Sequence, residues 1–344
     1  MKDSRMHEQA LIDTAKALVA DGKGILAADE STGTIKKRLD SIGVESTEQT
    51  RQAYRNLLFT TQGAEDFISG VILFEETLFQ KADDGTSFAK LLADKGVIPG
   101  IKVDKGAKPL AASTEEKVTE GLDGLRERLA EYAEAGARFA KWRGVIDITD
   151  DRPTDYCIHV NAHALARYAV LCQEAGIVPI VEPEVLMDGA NSIERCEEVT
   201  DAVLDAVFAE LKKQEVMLEG MLLKPNMVIS GKQCPQQAGV EQVAEATLRC
   251  LKRRVPSAVP GIVFLSGGQS DELATAHLNA MNRMGPQPWK LSFSYGRALQ
   301  APALDAWRGK PENVETAQGA YLKRARNNGA AARGEYTAEM EEAA

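Results

Sequence analysis

A chain of 344 residues is long enough for two average domains, or for one large barrel in which a helix follows each strand. Its 44% hydrophobic and 27% charged residues allow a large buried core under a well-solvated surface, which argues against a disordered protein. The formal net charge of −10 argues against nucleic acid as a partner, and an anionic substrate would have to be attracted by a local cluster of basic residues.

The N-terminal segment from His7 to Ala20 places apolar side chains at helical spacing and predicts an amphipathic surface helix. It lacks the continuous apolar stretch of a signal peptide, and no run in the chain approaches the roughly 18 apolar residues of a membrane span. The five cysteines never form a C-x-x-C pair, so a reducing compartment is expected. We therefore expect a cytoplasmic protein without a membrane partner, although a plastid protein that has lost its transit peptide would look the same.

Short apolar runs rich in branched residues alternate along the chain with longer segments of helical pattern, such as Gly121 to Gly136 and Ser192 to Lys213. Eight runs occur, at residues 24–28, 70–74, 99–103, 138–142, 178–182, 221–225, 261–265 and 290–294. Strands that alternate with helices pair in parallel. Eight such units predict an α/β fold, a closed (β/α)8 TIM barrel with additional N- and C-terminal helices.

An open doubly wound sheet is the alternative fold. It would normally carry a glycine fingerprint after its first strand, whereas Gly22-Lys23-Gly24 precedes the first strand here. We expect a single barrel domain over residues 1–344. From Arg326 the chain becomes alanine-rich and acidic, which predicts a flexible C-terminal tail over residues 326–344.

Charged residues follow most of the predicted strands, at the end where a parallel barrel carries its active site. They are Asp29, Lys102, Asp104, Lys141, Arg143, Glu182, Glu184 and Lys224. Any one of them could be an ordinary strand-end residue in a surface ion pair. Several form pairs two residues apart, as Lys224 does with Asn226, and that spacing puts both side chains on one face of a strand. The four cations also balance the four anions, which buried charges require.

Three lysines that converge on one cavity repel each other, and burial also disfavours a charged amine. At least one of them should therefore have a lowered pKa. A neutral lysine attacks carbonyl carbons. The imine that forms needs a carboxyl group to carry protons on and off, and Glu182 and Glu184 could supply it.

Seven segments resemble motifs of the class I fructose-bisphosphate aldolases, in the order in which that family has them. They are residues 24–33, 102–106, 139–143, 181–184, 222–227, 265–270 and 293–298. The resemblance covers nearly the whole chain. It implies a metal-independent lyase without a cofactor, which reversibly cleaves fructose 1,6-bisphosphate into dihydroxyacetone phosphate and glyceraldehyde 3-phosphate through a lysine Schiff base in glycolysis and gluconeogenesis.

The resemblance also implies roles for individual residues. Lys224 matches the imine-forming lysine, and Glu182 matches the carboxyl group that handles protons as the carbinolamine loses water. Asp29 matches the carboxylate that takes the C4 hydroxyl proton while the C3–C4 bond breaks. Lys141 matches the cation that steers the substrate hydroxyls, and Glu184 is expected to hold the charge network in place.

Two phosphate sites are implied as well. The family's site for the phosphate on C1 matches six residues in the loops after the seventh and eighth strands, which are Ser266, Gly267, Gly268, Ser294, Gly296 and Arg297. The positions used around the other phosphate match Ser31, Thr34, Arg38 and Lys102. Thr34 stands where relatives often carry serine, and the hydroxyl is retained. Arg143 is expected to support substrate binding.

Two further patterns suggest other functions. Residues 265–269 are identical to the signature loop of transporter-type ATPases, but no G-x-x-x-x-G-K-[ST] accompanies them. His159 and His163 share a helix face as zinc ligands would, but no glutamate follows the first histidine. A packing or surface role is therefore favoured for the histidines, and we expect no metal site.

Two alternatives from other classes remain. One is a different Schiff-base barrel enzyme of the transaldolase or deoxyribose-phosphate aldolase kind, although Arg38 with Lys102 argues for two phosphate sites. The other is a scaffold in which catalysis is incidental.

The resemblance implies a homotetramer that binds small sugar phosphates. Animal relatives end in a tyrosine that reaches the active site, whereas Ala344 is the last residue here, so we expect the tail to play little part in catalysis.

Overall fold

The computed structural model describes residues 2–113 and 115–342, and the side chains from residue 7 onward within those ranges. Its strands are β1 (Gly24–Ala28), β2 (Ile68–Leu73), β3 (Ile98–Lys102), β4 (Ala107–Pro109), β5 (Lys117–Thr119), β6 (Phe139–Ile146), β7 (Val178–Val185), β8 (Leu222–Leu223), β9 (Gly261–Phe264) and β10 (Lys290–Tyr295). Eight of them close into a parallel barrel in the order β1-β10-β9-β8-β7-β6-β3-β2. The predicted (β/α)8 fold is confirmed.

Helices surround the barrel. They are α1 (Lys2–Leu18), α2 (Thr32–Ser41), α3 (Glu48–Thr60), α4 (Glu75–Phe79), α5 (Phe88–Asp94), α6 (Leu125–Glu134), α7 (Asp155–Glu174), α8 (Ile193–Lys213), α9 (Val240–Arg254), α10 (Asp271–Arg283), α11 (Arg297–Trp307), α12 (Val314–Ala332) and α13 (Glu339–Glu342). Short 3-10 turns occupy Ala64–Asp66, Leu218–Gly220 and Pro311–Asn313. No helix in the described part of the chain is long and apolar enough to cross a membrane.

Helix α1 is amphipathic, as expected, and its apolar face packs against the inside of the barrel. Leu11, Ala15 and Leu18 are buried in one cluster with side chains from the barrel interior, including Phe139 of β6 and Ile180 of β7. The helix therefore packs against the apolar filling of the barrel. A cavity lined by polar side chains lies beyond that filling, toward the C-terminal ends of the strands.

The strand lengths differ from the predicted ones in a way that affects the site. Strands β6 and β7 continue to Ile146 and Val185, paired residue by residue, so Arg143 and Glu184 lie within strands and not after them. Strand β8 is only two residues long. It stops before Lys224 because Pro225 has no N–H to continue the ladder. The Lys224 N–H still donates to Val181 O at 2.8 Å, so the lysine backbone remains attached to β7.

A short antiparallel hairpin formed by β4 and β5 was not predicted. It is fixed to the barrel by one side chain of α7 and by one of its own side chains. Asn161 of α7 donates to Lys117 O at 2.9 Å, and Thr119 donates from its hydroxyl to Arg143 O at 2.7 Å. The hairpin thus braces the strand that carries Arg143.

The predicted tail over residues 326–344 begins inside a helix. Helix α12 continues to Ala332, and Asn327 and Asn328 within it are buried. Beyond it, Glu341 of α13 makes a 2.6 Å ion pair with the buried guanidinium of Arg324 and accepts a 2.9 Å hydrogen bond from Tyr336. Residues 326–332 of the predicted tail therefore belong to α12, and the segment beyond contacts that helix through Glu341.

The Arg324–Glu341 pair predicts a stability effect. Replacing Glu341 with glutamine removes the carboxylate from a guanidinium whose side chain is only 5% exposed, and we expect unfolding free energy to fall by about 1–3 kcal/mol. Thermal or urea unfolding measures this change. Glu339→Gln, an exposed glutamate of the same helix, should change stability by less than about 0.5 kcal/mol. Equal effects of the two variants would contradict the prediction.

Candidate active site

A cavity of about 320 Å³ opens at the C-terminal ends of the barrel strands. Of the sixteen residues expected to form the site, fifteen line it. They are Asp29, Ser31, Thr34, Arg38, Lys102, Lys141, Arg143, Glu182, Glu184, Lys224, Ser266, Gly267, Ser294, Gly296 and Arg297. Residues from the whole length of the chain thus meet in one place, as the barrel topology requires.

The centre of the cavity is a buried cluster of two lysines and two carboxylates. Lys224 Nζ lies 3.1 Å from one oxygen of Glu182, and Lys141 Nζ lies 3.3 Å from the other. Lys141 also contacts Asp29 at 2.7 Å. All four side chains are at most 11% exposed, so each charge depends on its neighbours for stabilisation. Glu182 is the link between the two amines.

Burial and neighbouring charges shift the two lysines in opposite directions. Burial, together with the positive charge of Lys141, lowers the pKa of Lys224 despite the opposing attraction of Glu182. Burial also tends to lower the pKa of Lys141, but Asp29 and Glu182 outweigh it and the pKa of Lys141 is raised. Two amines in the same cluster therefore differ in character. Lys224 is the one that is more readily neutral, and Lys141 is the permanent cation.

The carboxylates of the cluster are held ionised. Burial tends to raise the pKa of Asp29, but Lys141, Lys224 and Lys102 together lower it well below its ordinary value. Burial likewise opposes the effect of Lys141, Lys224 and Arg143 on Glu182, whose pKa is lowered. Both groups are therefore ionised in the unliganded protein.

The sequence contains four pairs of polar residues two positions apart at the strand ends, and three of these pairs have both members in the cavity lining. Lys102 with Asp104, Lys141 with Arg143, and Glu182 with Glu184 all line the cavity. Lys224 and Asn226 do not share the cavity, because the chain leaves strand geometry at Pro225. Asn226 is buried away from the cavity, where its side chain accepts from Val185 N at 3.0 Å and donates to Thr200 at 3.1 Å.

Arg143 and Asp104 each contact other charged or backbone groups of the cavity. Arg143 forms an ion pair with Glu184, and its backbone N–H donates to Asp104 at 3.3 Å. Asp104 also lies 3.5 Å from Lys102 Nζ and accepts from Gly106 N at 3.1 Å. Asp104 was recognised in the sequence as a strand-end charge but received no role, and the structure gives it this positioning role.

The expected C1-phosphate residues lie on one side of the cavity. Ser266 and Gly267 follow β9, while Ser294 and Gly296 flank the end of β10 and precede α11. The Ser294 hydroxyl is buried without a hydrogen-bond partner among the described residues. Arg297 is the first residue of α11, and its guanidinium donates to Gln269 O. An unpaired hydroxyl and a helix N-terminus are groups that an anion could satisfy.

Gly268 is the one expected site residue that does not line the cavity. Its N–H donates to Met187 Sδ at 3.0 Å, and the side chain of Lys232 covers its Cα. The resemblance between motifs could not indicate this, because Met187 and Lys232 come from two other loops.

Three of the residues expected around the second phosphate lie after β1 and on α2, and the fourth, Lys102, ends β3. Ser31 and Thr34 have their hydroxyls 3.2 Å apart, and Arg38 follows on the same helix. Arg38 is paired with Glu30, a buried glutamate that also lines the cavity. Sequence reasoning missed Glu30, although it stands between two assigned residues. The signal was available, since a buried strand-end glutamate requires a cationic partner.

The charges of the cavity differ in sign from those of the whole protein. The lining contains six cationic residues, Arg38, Lys102, Lys141, Arg143, Lys224 and Arg297, against five acids, Asp29, Glu30, Asp104, Glu182 and Glu184. With Lys224 protonated, the lining has a local excess of one positive charge, whereas the net charge of the chain is −10.

The histidine pair identified in the sequence lies outside this cavity, on α7. The His159 and His163 rings are 6.4 Å apart, and His163 Nδ1 is 3.4 Å from Glu210. Within the described residues, no group of three His, Cys, Asp or Glu side chains is arranged to hold a metal ion.

The opposite shifts of the two lysines predict a pH dependence. A lysine adds to a carbonyl group as the free amine, which exists above the lysine pKa, and the charge of Lys141 lowers the pKa of Lys224. Removing this charge in Lys141→Gln should raise the pKa of Lys224, so the acid limb of the rate of hydride trapping with dihydroxyacetone phosphate should move to higher pH. Lys141→Arg keeps the charge and should leave the limb in place. An unmoved limb in the glutamine variant would rule out this coupling.

A buried amine with a lowered pKa, set among carboxylates at the C-terminal face of a barrel, is the arrangement expected of a barrel enzyme with a nucleophilic lysine. Comparison with known proteins is more specific. A family model described as fructose-bisphosphate aldolase class-I matches residues 10–344. The chain therefore belongs to the class-I fructose-bisphosphate aldolase family, and the family and enzyme class expected from the sequence are confirmed.

Individual relatives agree over most of their length. The probable fructose-bisphosphate aldolase class 1 of Xanthomonas campestris pv. campestris is 59% identical over 332 residues, which cover 96% of this chain and 99% of that protein. Fructose-bisphosphate aldolase 1 of Toxoplasma gondii is 58% identical over 95% of this chain and 90% of its own. The solved structure of the Plasmodium falciparum fructose-bisphosphate aldolase, a complex with TRAP and a small-molecule inhibitor, superposes with a TM-score of 0.95 at 55% identity and covers 96% of both chains.

Proposed function

We propose that the protein reversibly cleaves fructose 1,6-bisphosphate into dihydroxyacetone phosphate and glyceraldehyde 3-phosphate through a Schiff base on Lys224, as a glycolytic and gluconeogenic enzyme. The observation that carries the proposal is the 3.1 Å contact between Lys224, whose pKa is lowered, and Glu182 inside the buried cluster. A buried amine beside a proton acceptor is prepared for attack on a ketone.

The first half of the reaction uses this contact directly. Glu182, ionised in the free protein, takes a proton from the Lys224 ammonium, and the neutral amine attacks the C2 carbonyl of the sugar. The carbinolamine hydroxyl then leaves as water with the proton that Glu182 holds. The product is a protonated imine, and Glu182 has returned to its ionised form.

The second half breaks the carbon–carbon bond. Asp29, kept ionised mainly by Lys141 at 2.7 Å, accepts the proton of the C4 hydroxyl. The C3–C4 bond breaks, its electron pair moves into the iminium, and an enamine and an aldehyde result. The iminium is the electron sink, so this step needs no metal ion. The enamine then takes up one proton at C3, which balances the proton removed from the C4 hydroxyl, and hydrolysis of the imine with Glu182 carrying protons releases dihydroxyacetone phosphate and Lys224. Lys141 stays charged throughout and orients the substrate hydroxyls, while Glu184 holds Arg143 beside the cluster.

Two groups of lining residues that could each bind a phosphate support a bisphosphate substrate. Ser266, Gly267, Ser294, Gly296 and Arg297 would hold the phosphate on C1, and Ser31, Thr34, Arg38 and Lys102 the other.

We further propose that the enzyme acts in the cytoplasm as a homotetramer. A relative from Arabidopsis thaliana is named as cytosolic. Light scattering of the purified protein measures the oligomeric state.

Hydride trapping tests the function. The purified protein is treated with borohydride in the presence of dihydroxyacetone phosphate, digested, and mapped by mass spectrometry. We expect the adduct on the peptide that carries Lys224, and turnover of fructose 1,6-bisphosphate that survives a chelator. An adduct on another lysine, or turnover lost to the chelator, would refute the proposal.

A further inference from the structure

Glu30 forms a buried hub beside the proposed active site. Its carboxylate, 7% exposed, lies immediately after β1, between Asp29 and Ser31. It accepts a 2.5 Å hydrogen bond from Arg55 of α3, a 2.9 Å bond from Gln300 of α11, and a third from Arg38 of α2. One carboxylate thereby connects three helices to the end of a strand.

The other members of the hub are fixed independently of Arg38. Gln300 Nε2 also donates to Ala27 O at 2.7 Å, and its Oε1 lies 3.5 Å from Arg55 Nη1. The side chain of Arg55 is only 3% exposed. Glu30 is therefore held in one place by buried partners on its far side, and it cannot follow Arg38 if that side chain moves.

Arg38 is the member of the hub that reaches the cavity. Its side chain is 25% exposed and gives only Nη1 to Glu30 among the described residues. The remaining guanidinium donors are available, and Nη2 lies 3.8 Å from the position that a Cβ on Gly296 would occupy. A long arginine side chain has many rotamers, and a ligand that must order it loses affinity. A guanidinium fixed at one end and open at the other avoids that loss.

We propose that Glu30 is a positioning residue, which fixes the guanidinium of Arg38 so that its open donors face a substrate phosphate. This inference rests on the proposed function, since it assumes a phosphorylated substrate in the cavity. Glu30 does not touch the reacting carbons and acts through Arg38. Its effect therefore belongs to binding, and the cluster of Lys224, Glu182 and Asp29 should be left intact.

The test is a mutant cycle. In Glu30→Gln we expect KM for fructose 1,6-bisphosphate, and the inhibition constant of inorganic phosphate, to rise by about tenfold or more, the scale of one charge-assisted hydrogen bond, with kcat changed by less than about threefold. In the Arg38→Met background the same Glu30→Gln change should have no further effect on KM. An additive effect of the two substitutions would overturn the proposal.

Glu30→Gln leaves Arg55 buried without a carboxylate, which could prevent folding. The variant Glu30→Gln/Arg55→Met removes both charges and still takes the carboxylate from Arg38. It should show the same rise in KM as the single variant. An unchanged or lowered KM would mean that Glu30 does not position Arg38, or competes with phosphate for it.

Glu76→Gln is the matched control, because Glu76 makes a comparable two-bond pair with Arg51 of α3, at 2.6 and 2.8 Å. It should leave KM unchanged. Trapping of the unmodified protein with dihydroxyacetone phosphate separates the two proposals. If trapping fails there, the proposed function fails. If trapping succeeds and KM of the Glu30 variants does not rise, the function stands and the positioning role is wrong.

Discussion

Replacing Lys224 with alanine is expected to abolish trapping of dihydroxyacetone phosphate and to lower turnover of fructose 1,6-bisphosphate by about four orders of magnitude or more, the scale on which loss of a covalent nucleophile acts. The reason is that Lys224 combines burial with a lowered pKa and a carboxylate at 3.1 Å. Lys141 has a raised pKa and cannot replace it as a nucleophile. Steady-state turnover and mass spectrometry of the reduced adduct measure the two effects.

Lys90→Ala is a suitable control for this experiment. Lys90 is 65% exposed on α5 and pairs with Asp94 at 2.7 Å, so its loss should change neither trapping nor turnover. Residual turnover of the Lys224 variant above a few per cent would mean that another amine forms the imine, and the assignment of Lys224 would have to be withdrawn.

Replacing Asp29 with asparagine is expected to lower turnover by about 10² to 10⁴, the range for loss of a general base. Asparagine has nearly the same shape but cannot accept the C4 hydroxyl proton. Trapping of dihydroxyacetone phosphate should persist, because that ligand adds to Lys224 without any carbon–carbon cleavage. The comparison of turnover with trapping therefore separates the two halves of the reaction.

The control for Asp29 is Asp40→Asn, an exposed aspartate of α2 that pairs with Lys36 at 2.6 Å. Its turnover should be unchanged. If Asp29→Asn lost trapping as completely as turnover, Asp29 would be needed to hold Lys141 and Glu182 in place, and its role as the base for the C4 hydroxyl would be contradicted.

The barrel could be predicted because its strands are buried on both sides and appear as short apolar runs between amphipathic helices. The ends of those runs were less accurate. Strand β8 ends after two residues at a proline, while β6 and β7 extend through alternating charged residues that do not look like strands in isolation. The β4–β5 hairpin has no apolar run at all, and its three-residue strands are held by the Asn161 side chain of α7 and by the Arg143 carbonyl of β6.

The meeting of the charged strand ends in one cavity followed from the topology, once eight parallel strands were recognised. Which lysine has the lowered pKa could not be deduced, because it depends on the separate distances of Asp29 and Glu182 from Lys141 and Lys224. Glu30 was missed for a similar reason. Its partners Arg55 and Gln300 are 25 and 270 residues away, and only the folded chain brings them together.

The bridging position of Glu182 has a consequence for anyone who redesigns this enzyme. Because one carboxylate contacts both amines, the penalties of single substitutions at Lys141, Glu182 and Lys224 will not sum, and removing all three should cost little more than removing the worst one. New substrate ranges are better sought by varying such contacting residues jointly than by combining the best individual changes.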